Sequence, residues 1–269
     1  RPPPAKGDKP VFAPLTGLSP SDTSSDVTRT PGDVQRSRST SLSQSTPGVS
    51  VASLVALAED ARQARMGLGP PRTWRGAYES PPSVRAPGQP LTTEDVCHEI
   101  IIPRTRKGRV AFVDVVDRVD VGTATHFISH AWSTPFEGLV AALVAARLGD
   151  TARVWLDLLV EPQGAPLRMP REWWTGAFLA RMRSIGHVVL VLDRWDAPAL
   201  LTRAWCLWEM LAAQHVSAQV TVALPPGQRG ALVRALTDDF DSVTMAVASA
   251  SLASASTSRP EDKHAILAA

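Results

Sequence analysis

Residues 200–211 form an apolar segment with one acidic residue, and they read Leu200-Leu201-Thr202-Arg203-Ala204-Trp205-Cys206-Leu207-Trp208-Glu209-Met210-Leu211. They follow the apolar run 188–192 after a loop of Trp, Asp and Pro, which predicts a buried strand, a crossover loop and a helix capped by Thr202. Almost every position from 204 to 213 is apolar, which predicts a helix buried all round. Glu209 must then be paired, protonated or turned towards a cleft, because an unpaired buried charge costs several kcal/mol.

The composition limits function only loosely. The 269 residues are 44% hydrophobic, enough for a sizeable core, but residues 1–50 are rich in Pro, Ser and Thr and are predicted to be disordered. The net charge of +2 and the scattered arginines predict no nucleic-acid partner. Cys97 and Cys206 lie in no zinc or CxxC pattern, which favours a reducing compartment. With no apolar run of membrane-spanning length we expect no membrane partner and a cytoplasmic location.

The rest of the chain divides into a linker region, an extension and one main domain. Apolar spacing predicts an amphipathic helix over Val51–Met66, followed by a Pro-rich linker to residue 90. Residues 91–123 are expected to extend the domain, with a helix that starts at Thr93 and an edge strand over 109–116. Residues 124–240 form the main domain, and residues 241–269 form a tail with a truncated helical pattern. The chain begins with Arg1 rather than Met, so we expect a longer parent protein.

Apolar strands alternate with helices in the main domain. The strands are predicted near residues 124–130, 153–160, 187–192 and 219–224, and the helices besides that of Glu209 over 136–148, 171–185 and 231–236. Crossovers of a dozen or more residues are typical of a parallel sheet with helices on both faces. We therefore predict a flavodoxin-like α/β fold, in which ligands bind outside the carboxyl ends of the strands.

Several side chains gather at the carboxyl ends of the predicted strands: Ser129, His130, Asp157, Glu161 and residues 193–195. The chain has neither GxGxxG after the first strand nor GxxxxGK[ST], which argues against a Rossmann pyrophosphate turn and a P-loop. Adjacent strand residues point to opposite faces, which disfavours a Ser129-His130-Asp157 triad. His126 and His130 lie roughly 13 Å apart along a strand, so they cannot share a metal ion. No metal site is predicted.

Glu209 remains the main candidate for chemistry. Trp205 lies four residues before Glu209 on the same helical face, so the Trp205 indole is expected to cover one side of the Glu209 carboxylate. Reduced access to water would raise the pKa of Glu209 and suit it to proton transfer or to stabilising a developing cation. The structural alternative is an ion pair that ties the helix down, with Arg203, Arg181 or Arg194 as the partner.

Two motifs resemble those of the Toll/interleukin-1 receptor (TIR) domain. Phe127-Ile128-Ser129-His130 resembles its FISH-type first strand, and Trp205-Cys206-Leu207-Trp208-Glu209 resembles the WCxxE start of its αC helix. Between them, Trp155-Leu156-Asp157 is similar to the second strand with its terminal acid, residues 161–170 to the BB loop, and residues 188–192 to the third strand. The resemblance covers residues 124–224 and is closest to an uncharacterised TIR-like group of algae and other protists. Residues 131–135 and the serine-free loop 193–201 depart from the family pattern.

In TIR domains that cleave NAD, the glutamate of this helix is the catalytic residue. The resemblance implies that Glu209 stabilises the oxocarbenium-like ribosyl centre as nicotinamide leaves, with NAD as substrate rather than as a bound cofactor. The residues predicted to bind the nucleotide are Trp205, Ser129, His130, Asp157 and Trp195. Other TIR domains signal by homotypic self-association without chemistry, and a generic nucleotide-binding α/β domain is a third reading.

Overall fold

A computed structural model describes residues 45–66, 89–105, 108–163, 173–248 and 255–256. The strands of its sheet are β1 (Pro47–Ser50), β2 (Val121–Thr123), β3 (His126–Ser129), β4 (Arg153–Trp155), β5 (His187–Val191) and β6 (Gln219–Ala223). These six strands lie side by side in the order β2-β1-β4-β3-β5-β6.

Helices connect and cover these strands. They are α1 (Val51–Met66), α2 (Thr93–Val96), α3 (Ile102–Arg104), α4 (Phe136–Ala146), α5 (Asp157–Val160), α6 (Leu179–Ile185), α7 (Ala204–His215), α8 (Pro226–Asp238) and α9 (Phe240–Ala248). A π-helical turn joins α2 to α3 (Cys97–Ile101), and another precedes α6 (Trp173–Phe178). Within the described ranges, no helix has the length and apolarity needed to cross a bilayer.

The predicted α/β fold is confirmed as a mixed sheet with a parallel core. β3 pairs in parallel with β4 and β5, and β5 pairs in parallel with β6. Neighbouring residues Phe127 and Ile128 of β3 are both buried, as expected for a strand covered on both faces. Since parallel crossovers are right-handed, α4, which joins β3 to β4, lies on the opposite face from α6 and α7.

The expectation that residues 1–50 lack regular structure is wrong for their last four residues. β1 pairs antiparallel with β2 on one side and with β4 on the other. Val49 is fully buried there, and a Cβ on Gly48 would lie 2.9 Å from the Cα atom of Ala124. Pairing with the neighbouring strands β2 and β4 therefore stabilises β1 as a strand, although its sequence predicts none. Residues 1–44 lie outside the described residues.

The sheet and core also extend beyond the predicted main domain of residues 124–240. The helix predicted over Val51–Met66 is confirmed as α1. It packs on α4, where Arg62 and Arg65 lie 3.4 and 3.9 Å from the Glu137 carboxylate. Residues 47–66 are therefore part of this domain rather than a separate segment before a linker. Most of that predicted linker, residues 67–88, lies outside the described residues.

Two predicted strands differ from the structure. β4 stops at Trp155, and the apolar residues 158–160 are buried in helix α5 instead, because a short apolar run suits either element. The edge strand predicted over 109–116 is a loop with a 3-10 turn over Phe112–Asp114, and the edge strands of the sheet are β2 and β6.

The Glu209 helix differs from its prediction at its start and in its burial. The Thr202 hydroxyl donates to the Ala199 carbonyl in a 3-10 turn and does not cap α7, which begins at Ala204. Leu211 is 55% exposed, so α7 is not buried all round.

The C-terminal elements are longer than predicted. α8 spans Pro226–Asp238 rather than 231–236, and α9 occupies the start of the predicted tail. Apart from residues 255–256, the tail beyond residue 248 lies outside the described residues.

Candidate active site

Ser129 and Glu209 meet at the carboxyl end of the parallel core. Ser129 is the last residue of β3, and its hydroxyl donates a 2.6 Å hydrogen bond to Oε2 of Glu209 on α7. β3 lies between β4 and β5, and the chain passes from β3 to β4 and then crosses back to β5. This reversal is the kind of position at which open α/β sheets bind ligands.

The Glu209 carboxyl group has unusual electrostatics. Burial raises its pKa to about 8; the Ser129 hydrogen bond opposes that shift and the charge of Asp157 adds to it. Among the described residues, none forms an ion pair with Glu209: Arg181 pairs with Glu161 at 2.7 Å and Arg194 with Asp196 at 2.5 Å. At pH 7 most Glu209 side chains therefore carry a proton, and the arginine-pair alternative has no support in the described ranges.

Asp157 is held by two nitrogen donors. It is the first residue of α5, shortly after β4 ends. Its Oδ2 atom accepts a 2.9 Å hydrogen bond from the Trp132 indole Nε1, and its Oδ1 atom accepts a 2.7 Å bond from the Leu158 backbone N–H. Both oxygens are thus fixed, and the carboxylate is close enough for its charge to raise the pKa of Glu209.

The His130 ring contacts a different element. Its Nε2 atom lies 3.1 Å from the Thr93 hydroxyl of α2, and the residue is only 6% exposed. Burial lowers the pKa of His130 against the opposing charge of Asp157, which keeps the ring neutral at pH 7. The Cys206 thiol donates to the His130 carbonyl at 3.3 Å. His130 therefore joins β3 to α2 and α7.

The two predicted aromatic residues of the pocket lie on different elements. Trp205 packs edge-to-face against Trp208, with ring centroids 6.2 Å apart. Trp195 lies in the loop after β5, where its backbone N–H donates to Oε1 of Gln228 on α8 at 3.3 Å. Within the described ranges, no hydrogen bond or ring contact joins either tryptophan to Glu209. Their nucleotide-binding role stays a prediction.

Trp132 and Thr93 belong to the site although no sequence motif indicated them. Trp132 had a usable signal: it follows β3 as Asp157 follows β4, and the carboxyl ends of parallel strands share one edge, so an indole donor near that acid was a reasonable expectation. Thr93 gave no such signal, because the docking of α2 on the turn after β3 depends on tertiary contacts.

His126 and His130 have different neighbours. His126 lies at the start of β3, away from His130, and its ring packs at a tilt of 46° against that of His187 with centroids 4.5 Å apart. Across the described part of the chain, no three His, Cys, Asp or Glu side chains are grouped to hold a metal ion.

Comparison with known proteins leaves the site to be judged on its own geometry. No protein-family model matches this chain, and neither the curated proteins nor the solved structures give a match.

Proposed function

We propose that this chain contains a TIR-like signalling domain that cleaves NAD with Glu209 as the catalytic residue. The contact between Ser129 and Glu209 carries the proposal. These residues lie 80 positions apart in the chain, one in the FISH-like strand and one in the WCxxE-like helix, yet they share a 2.6 Å hydrogen bond. Two motifs that resemble one family therefore meet at one site.

The order of the parallel strands supports a flavodoxin-like arrangement. Numbered along the chain, the parallel strands β3, β4, β5 and β6 lie in the spatial order 2-1-3-4. This matches the first four strands of the flavodoxin-like order. The antiparallel strands β1 and β2 are additions beside β4.

Glu209 suits the electrostatic demands of NAD cleavage. The bond between C1′ of the ribose and the pyridinium nitrogen breaks, its electron pair leaves with neutral nicotinamide, and positive charge develops on the ribosyl centre. An ionised Glu209 stabilises that charge, and its partial burial weakens screening by water. Water then adds to C1′ and releases a proton to solvent, which gives ADP-ribose. A pyridinium cation in the site also favours the ionised form of Glu209.

Homotypic self-association without chemistry is the second candidate function. Exposed apolar side chains concentrate on α8 and α9, where Phe240 is 61% and Met245 is 73% exposed. Such surfaces often mark protein contacts. Both cysteines, Cys97 and Cys206, are buried free thiols, which is consistent with a cytoplasmic setting for either function.

Incubation of the purified protein with NAD tests the proposal. The protein is assayed alone and fused to an oligomerising coiled coil, because the resemblance implies activity in the assembled state, and nicotinamide is measured by chromatography. We expect nicotinamide release that rises with assembly. Self-association in light scattering without nicotinamide release would favour the non-catalytic interaction module.

A further inference from the structure

We propose that Trp132 and Asp157 are a positioning pair: the Trp132 indole holds the Asp157 carboxylate at the strand end where Glu209 lies, and the negative charge of Asp157 there disfavours ionisation of Glu209. The inference rests on the proposed function for its use in catalysis, but its structural part can be tested without NAD. In the proposed reaction, Asp157 and Trp132 contact no reacting atom and act only through Glu209.

The position of Asp157 is fixed from both sides of its carboxylate. Trp132 donates to one oxygen and the Leu158 backbone N–H to the other, at 2.9 and 2.7 Å. The Asp157 carbonyl also accepts a 2.9 Å hydrogen bond from the Gln163 side chain. Asp157 lies two residues after Trp155, and Ser129 lies two residues after Phe127, which is the register partner of Trp155 on the neighbouring parallel strand. The fixed carboxylate therefore lies at the same strand end as Ser129, the residue that binds Glu209.

The turn that carries Trp132 is itself fixed by α2. The backbone N–H of Glu94 donates to the Trp132 carbonyl at 3.1 Å, and that of Thr93 donates to the Thr134 carbonyl at 3.0 Å. The Thr93 side chain also contacts the His130 ring at 3.1 Å. Residues 131–135, where the sequence departs from the TIR pattern, thus form a turn that is hydrogen-bonded to α2 and that places the Trp132 indole N–H within hydrogen-bond distance of Asp157.

The charge of Asp157 reaches several groups around Glu209. Burial is the main cause of the raised pKa of Glu209 and of Cys206 on α7, and the charge of Asp157 adds to both shifts; the same charge opposes the burial that lowers the pKa of His130 after β3. Arg203 acts on Cys206 in the opposite direction, and Ser129 is the hydrogen-bond donor to Glu209. Asp157 is therefore the acidic neighbour that works against ionisation of Glu209. A cationic pyridinium would offset this repulsion.

Carbon-13 NMR of glutamate labelled at the side-chain carboxyl carbon tests the pair directly. The Glu209 signal is assigned by its loss in Glu209→Gln and followed through a pH titration in wild type, Asp157→Asn and Trp132→Phe. We expect the pKa of Glu209 to fall below its wild-type value of about 8 in Asp157→Asn, and to take an intermediate value in Trp132→Phe. Asp150→Asn is the matched control, because it removes an exposed carboxylate just before β4.

The outcomes separate this inference from the proposed function. The acid limb of kcat/KM for nicotinamide release should move to lower pH in Asp157→Asn, in step with the NMR titration. If wild type releases no nicotinamide but the Glu209 titration still shifts, the NAD proposal fails and the positioning pair stands. An unchanged Glu209 pKa in folded Asp157→Asn overturns the pair. If Asp157→Asn does not fold, an unchanged Glu209 pKa in folded Trp132→Phe overturns the pair instead.

Discussion

The Ser129 hydroxyl donates its hydrogen bond to a carboxyl group, that of Glu209, which burial keeps largely protonated at pH 7. A donor to a carboxylate favours the ionised form, whereas loss of water contact favours the neutral one. The two effects oppose each other at a single 2.6 Å contact. The charge of Glu209 is therefore adjustable by small changes around it.

Replacing Ser129 with alanine should shift the titration of Glu209 upwards. The variant loses the hydrogen bond that opposes the effect of burial, so the pKa of Glu209 should rise further above about 8. The acid limb of kcat/KM, which reports groups of the free protein, should move to higher pH. Ser133→Ala is the control, since Ser133 is exposed in the same turn as Trp132. Identical limbs in wild type and Ser129→Ala would contradict the role assigned to this hydroxyl.

The raised pKa of Glu209 predicts a loss of stability as pH rises from 4.5, its ordinary value, to about 8. Within that window the folded protein keeps a proton that the unfolded chain has released, so rising pH favours unfolding. Glu209→Gln has no such proton and should lack this part of the pH dependence. At about 1.4 kcal/mol per pKa unit, the two unfolding free energies should diverge by a few kcal/mol.

Urea denaturation of both proteins at several pH values measures this divergence. A constant offset between wild type and Glu209→Gln does not affect the test, because only the change with pH counts. If the unfolding free energies of wild type and Glu209→Gln stay parallel from pH 4.5 to about 8, the pKa of Glu209 is not raised in the folded protein.

The parallel core could be predicted because its strands carry their own signal. The apolar runs around Phe127 and Val189 mark buried strands, and the isolated acid in an apolar helix marks Glu209. β1 could not be predicted, since Pro47–Ser50 is short and becomes a strand only between β2 and β4.

The contacts of the site were harder to predict than its positions. Ser129 and Asp157 were placed at the strand ends by the alternation of strands and helices. Their partners depend on how distant segments pack: Ser129 binds Glu209 across 80 residues, and Asp157 binds Trp132 across 25. The ring of His130 contacts Thr93 because α2 packs beside β3. Local sequence patterns do not predict that packing.

Deletion of β1 should destabilise the domain. The test compares a chain that begins at residue 45 with one that begins at residue 51, so that the difference isolates β1. The shorter chain loses the buried Val49 and leaves the edges of β2 and β4 unpaired. We expect a loss of roughly 2–5 kcal/mol in unfolding free energy, by analogy with large core truncations. Equal melting temperatures for the two chains would show that β1 does not support the fold.

The central claim is that Glu209 cleaves NAD, and nicotinamide release by assembled wild type and Glu209→Gln tests it most directly. Glutamine keeps the size and hydrogen-bonding capacity of the side chain but removes its charge. Release should fall by roughly 10²-fold or more, as when a preorganised electrostatic group is removed. The melting temperature of Glu209→Gln near pH 7 should not fall below that of wild type, because glutamine has no proton to take up on folding.

Glu59→Gln on the exposed side of α1 is the matched control and should keep full activity. We predict steady nicotinamide release from wild type and Glu59→Gln, and almost none from folded Glu209→Gln. Equal release from wild type and Glu209→Gln, or no release from assembled wild type, would contradict the claim.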